Sequence, residues 1–73
     1  DTVATLTERQ RECLRLAANG YSNQEIARGL FVSRRVAVYH LSQAYARLGF
    51  HGHTSRLRAV IRLLDEESPG WRC

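Results

Sequence analysis

Ser22-Asn23-Gln24-Glu25-Ile26-Ala27-Arg28-Gly29-Leu30-Phe31-Val32-Ser33-Arg34-Arg35-Val36-Ala37 is the stretch that decides the fold. Ser22 to Glu25 has the form of a capping box, with a hydroxyl at the cap and a carboxylate three residues on that reaches back. Ile26, Ala27 and Leu30 then fall on one helical face. Gly29 weakens this helix near its end. It is only about eight residues long, so it persists only if packed. Phe31 and Val32 make a short turn, and Ser33 caps a second helix over about 34–48. Ala37, Leu41, Ala44 and Leu48 repeat there at i, i+4, i+7 and i+11, a clean inward stripe.

Two further helices flank this pair. Upstream, Thr7-Glu8-Arg9-Gln10 is another capping box. It opens a helix whose apolar residues are Cys13, Leu14, Leu16 and Ala17, and which ends at Gly20, a residue that takes the left-handed conformation cheaply. Downstream, Gly49 stops the long helix and residues 49–53 form a loop. Thr54 or Ser55 then caps a last helix whose inward stripe reads as Leu57, Val60, Ile61 and Leu64. On its other side Ala59 and Leu63 lie one turn apart, flanked by Arg56 and Arg62. They read as a contact for a second copy, too small to hold two isolated domains together. The expected architecture is all-α, four helices with no strand. Residues 1–6 read as the end of a linker, 7–66 as the domain and 67–73 as a flexible C-terminal tail, broken at Ser68-Pro69-Gly70.

Seventy-three residues make one small domain. Such a chain buries only about 60% of the surface its unfolded form exposes, which leaves little room for an enzymatic cleft. No nucleophile–base arrangement or phosphate-cradling glycine loop appears, so no enzyme and no cofactor is expected. No apolar run reaches membrane-span length. The first residue is Asp1 rather than Met, so the chain reads as part of a longer protein with a regulatory domain upstream. Cys13 among Leu14, Leu16 and Ala17 reads as a small buried thiol, and Cys73 lies on the tail. Two free cysteines fit a reducing, cytoplasmic setting. His51 and His53 flank one glycine, and neither cysteine has zinc-ligand spacing to them, so no metal site is expected. His40 reads as a residue of the long helix.

Charge is segregated along the chain. The net charge is +4, and all eleven basic residues are Arg. Between Glu25 and Asp65 every charge is positive: Arg28, Arg34, Arg35, Arg47, Arg56, Arg58 and Arg62. A one-signed segment in an otherwise balanced domain points to a polyanion, and Arg grips phosphate through parallel donors. A short helix, a tight turn and a Ser-capped basic helix make a helix-turn-helix pattern, so the polyanion expected is double-stranded DNA.

The blocks Leu6-Thr7-Glu8-Arg9-Gln10-Arg11-Glu12-Cys13-Leu14 and Gly20-Tyr21-Ser22-Asn23-Gln24-Glu25-Ile26-Ala27, with Ser33, His40, Leu48 and Gly49 at matching spacing, resemble the LuxR/GerE-type helix-turn-helix domain. The resemblance covers about residues 6–64. It implies the DNA-binding output domain of a bacterial transcription regulator, with the third helix in the major groove and the fourth often dimerising. It departs in the third block, where the usual phosphate-binding Thr is Val36 and the usual base-reading Lys is Val38. Those two valines favour an alternative, a degenerate helix-turn-helix kept for protein contact or dimerisation. A sigma-factor-like promoter-binding domain shares the motif as well. The family's base-contact positions map onto Val38, Tyr39 and Ser42. A helical wheel turns Arg35, Tyr39 and Ser42 away from the apolar stripe, with Arg34 and Val38 on one flank and Arg47 on the other. Arg34 and Arg35 suit phosphates at the helix start. Arg47 is expected to reach the backbone, and Asn23 to offer a backbone amide. The expected assembly is a monomer in isolation and a homodimer on DNA through the fourth helix.

Overall fold

The computed structural model describes residues 3–67. A single 3-10 turn, Val3–Thr5, precedes four helices: α1 Glu8–Ala18, α2 Asn23–Leu30, α3 Arg34–Arg47 and α4 Ser55–Glu67. No strand occurs among the described residues.

The helix starts are where the sequence placed them. The Thr7 hydroxyl accepts from the Gln10 amide at 3.1 Å, and the Gln10 side chain accepts from the Thr7 amide at 3.0 Å. Ser22 and Glu25 form the same reciprocal pair at 3.2 and 2.8 Å. Each cap satisfies helix-end donors that otherwise lack partners, and its loss costs about 1 kcal/mol. The bonds to Ser22 hold the Glu25 carboxylate below its ordinary range. Its folded pKa is depressed, so its contribution is present above the ordinary carboxylate pKa and lost as pH falls through the folded value. Ser33 caps α3 by accepting from the Val36 amide at 3.2 Å. Gly20 and Gly49 adopt φ of 88° and 81° and end α1 and α3. In the turn between α2 and α3 the left-handed position is taken by Phe31, with φ 58° and 95% exposed as a residue.

Two clusters fill the interior. Cys13, Ala17, Ile26, Ala27, Ala37 and Leu41 join α1, α2 and α3. Val3, Leu6, Leu14, Ala44, Leu48, Ala59 and Leu63 join α1, α3, α4 and the N-terminal turn. The stripe read on α3 is buried throughout. Burial pushes the Cys13 thiol up, which keeps it protonated and inert.

Two expectations are corrected. Val3 and Leu6 are 2% and 5% exposed, and the Val3 amide donates to Glu66 Oε1 at 3.0 Å. The segment read as linker therefore belongs to the core from Val3 onward. At the other end Glu67 is the last residue of α4, and the rest of the expected tail lies outside the described residues.

The larger correction concerns α4. Ala59 is fully buried and Leu63 is 3% exposed, whereas Leu57 is 61% exposed. The helix is turned so that Ser55, Ala59 and Leu63 face α1 and α3. Ala59 and Leu63 are core residues and not a contact for a second copy. The reason is space: Leu14 and Leu48 already supply bulk at that seam. A helix backbone approaches it closely only through a small side chain, with the larger Val60 at the margin.

Candidate nucleic-acid interface

The buried stripe of α3 leaves its opposite face in solvent. Arg34, Arg35, Val38, Tyr39 and Ser42 all stand exposed along it, from the first turn to the middle of the helix. Val36 and Val38 are each 38% exposed and Tyr39 58%, so this face carries apolar atoms that the core does not use. The Tyr39 ring meets His40 edge-on, with centroids 5.8 Å apart, which restrains both rings.

Among the described residues, ion pairs gather on α1 and late α4. Arg9 pairs with Glu12, Arg11 with Glu8, Arg15 with Glu8 and Glu67, and Arg62 with Glu66. The Arg15–Glu67 contact is bidentate, at 3.0 and 3.1 Å, and ties α1 to the end of α4. The carboxylates of α1 and late α4 are thus spent on neighbouring arginines. Arg34, Arg35 and Arg58 have no carboxylate partner among the described residues. Folding turns a run of like charges in the sequence into a one-signed face.

That face borders a groove of about 550 Å³ lined by Ser22, Asn23, Gln24, Arg34 and Arg56. These residues come from the first turns, or the cap, of three different helices. Each helix start carries partial positive charge on free amides, and two guanidiniums stand beside them. Such an arrangement suits an anion. A second groove, of about 250 Å³, runs along α3 past Val38 and Ser42 to His53, Ser55 and Arg56.

Arg56 organises this junction, and sequence reasoning missed it. Its Nη1 donates to Asn23 Oδ1 and its Nη2 to the Tyr21 carbonyl, both at 2.6 Å. The half-buried Tyr45 phenol is pushed up by burial, and the nearby Arg56 guanidinium pulls it back. One side chain from α4 thereby fixes the start of α2. Nothing local in the sequence signals this, because its partners lie 33 and 35 residues away.

Asn23 and Arg47 each have a partner within the chain. The Asn23 side chain is occupied by Arg56, so what it offers the groove is its backbone amide, as the first residue of α2. Arg47 stands at the far end of α3, about 20 Å from Arg34 at 1.5 Å per residue. Its Nη1 donates to the Thr5 carbonyl at 3.0 Å. That bond ties it to the N-terminal turn, and the residue stays exposed.

Comparison with known proteins agrees with the helix-turn-helix fold. Residues 4–61 match the family model described as bacterial regulatory proteins, luxR family. The spore germination protein GerE of Bacillus subtilis is 39% identical over 59 residues, which are 81% of this chain and 76% of that protein. A Mycobacterium tuberculosis protein named as an HTH-type transcriptional regulator is 40% identical over 62 residues, 85% of this chain. A quorum sensing-dependent transcriptional regulator of Brucella ovis is 38% identical over 61 residues, 84% of this chain. The chain spans only 6% of the length of the mycobacterial relative and 24% of the Brucella one. It belongs to the luxR family of bacterial regulatory proteins, as a helix-turn-helix DNA-binding domain.

Proposed function

We propose that this domain reads an operator as the DNA-binding part of a longer transcription regulator acting in the cytoplasm, with α3 in the major groove. The observation that carries the reading is the exposed basic start of α3, without carboxylate partners among the described residues and set among three helix starts. Arg34 and Arg35 hold phosphates, with the amides of Asn23 and Gln24 beside them. Val38 is apolar, so it contacts a thymine methyl or excludes another base. Tyr39 and Ser42 carry hydroxyls suited to a base edge. Selecting bound sequences from a random duplex pool tests this. The expected result is a defined motif, which shifts in Tyr39→Ala and Ser42→Ala while non-specific affinity stays nearly constant. If both variants select the wild-type motif, these residues do not read bases.

The matched relatives are mostly much longer than this chain, which supports a regulatory domain elsewhere in the protein. Two copies meet on DNA through α4, by the stripe Leu57, Ile61 and Leu64 that its rotation leaves outward. Leu57 is exposed, and Ile61 and Leu64 are half-buried. Three side chains bury far less than the ~1,200 Å² of a stable interface, so the isolated domain is a monomer and pairing appears only when DNA raises the effective concentration. Leu57→Arg is expected to abolish cooperative binding to a two-half-site duplex and to leave a single half-site bound as before. Cooperativity unchanged in that variant removes α4 from the pairing surface.

A further inference from the structure

The groove along α3 contains a titratable group that the reading above does not use. His53 lies in the loop before α4, yet it lines the same groove as Val38 and Ser42 of α3, Asn23 of α2 and Arg56 of α4. The other titratable groups on that groove are the Tyr45 phenol of α3 and the Arg56 guanidinium; no carboxylate lines it. His51, two residues earlier, is exposed on the same loop without lining it, and His40 packs against Tyr39. Val38 and Ser42, two of the proposed base-reading residues, line this groove, and His53 stands exposed on it.

Imidazole is the side chain whose charge ordinarily changes between pH 5 and 8. Neutral, it offers phosphate one N–H donor; charged, it offers a charge-assisted one. A phosphate held nearby favours the charged form, so binding and protonation help each other. Among the described residues no carboxylate on the groove competes for the imidazolium.

We infer that His53 is a phosphate contact of this domain whose strength follows the charge of its imidazole, so that DNA binding takes up a proton there. The inference rests on the DNA-binding reading above and adds to it a residue and a pH response.

The test measures affinity for one duplex at pH 6 and pH 8, at fixed ionic strength, for the wild type, His53→Gln, His53→Arg and His51→Gln. Circular dichroism checks folding at both pH values; the Glu25 cap is intact at each, since that carboxylate titrates below its ordinary range. The wild type is expected to bind about fivefold tighter at pH 6, the scale of one exposed ion pair. Its log K against log salt slope should steepen by about one at that pH. His53→Gln should lose both effects, and His53→Arg should hold the pH 6 affinity at pH 8. His51→Gln should respond as the wild type does. A pH response that survives in His53→Gln, or a wild type that binds equally at both pH values, overturns the role of His53 and leaves the DNA reading standing. A domain that binds no duplex at either pH overturns that reading, and this inference with it.

Discussion

Leu63→Arg is expected to unfold the domain, with loss of the helical circular-dichroism signal and of any cooperative thermal transition. Leu63 is 3% exposed and shares a cluster with Leu14, Ala44, Leu48 and Ala59. Removing a buried Leu costs about 2–5 kcal/mol. Placing an unpaired guanidinium in the same space adds several kcal/mol more. Small domains have only about 5–15 kcal/mol in total. Leu57→Arg, six positions earlier on the same helix, makes the contrast, because Leu57 is 61% exposed. A surface substitution moves stability by about 0.5 kcal/mol, which is a shift of Tm of about 4 °C or less in a domain of this size. A Leu63→Arg domain that melts like the wild type would overturn the rotation of α4 described above, and would return Leu63 to the surface.

The second large effect is electrostatic. If each domain neutralises about four phosphates, two copies meet about eight, and log K falls against log salt with a slope of roughly −7. Between 50 and 200 mM salt that slope lowers affinity by about 10⁴-fold. Arg34→Ala with Arg35→Ala removes about four of those contacts across two copies and halves the slope to roughly −3.6. The loss should be similar on every duplex, because phosphates carry no base sequence. The expectation follows from the absence of carboxylate partners at these two arginines among the described residues. A slope that stays near −7 in the double variant would show that other groups carry the phosphate contacts.

The reading face of α3 was legible because one helix encodes both of its sides. Ala37, Leu41, Ala44 and Leu48 mark the buried side by spacing alone, and Arg34, Arg35, Tyr39 and Ser42 then have only solvent to face. Residues whose roles depend on distant partners were not legible. Arg56 reads as one more arginine in a basic run until α4 is laid against α2. The bond from Arg47 to the Thr5 carbonyl, 3.0 Å from its guanidinium, likewise needs the N-terminal turn in place.

Local chemistry in the sequence determined where the helices begin and end, through Thr7, Ser22, Ser33, Gly20 and Gly49. It also determined that α2 and α3 form a basic helix-turn-helix, since caps and helical periodicity act over four residues or fewer. Tertiary structure alone decided the rotation of α4 and the place of Val3 and Leu6 in the core. Hydropathy ranks Leu57 above Ala59 as a core residue. Docking chose Ala59 with Leu63, which pack together against Leu14, Ala44 and Leu48. A helix with apolar residues on more than one side has no single rotation written in its own sequence, and the shape of what it packs against supplies the choice.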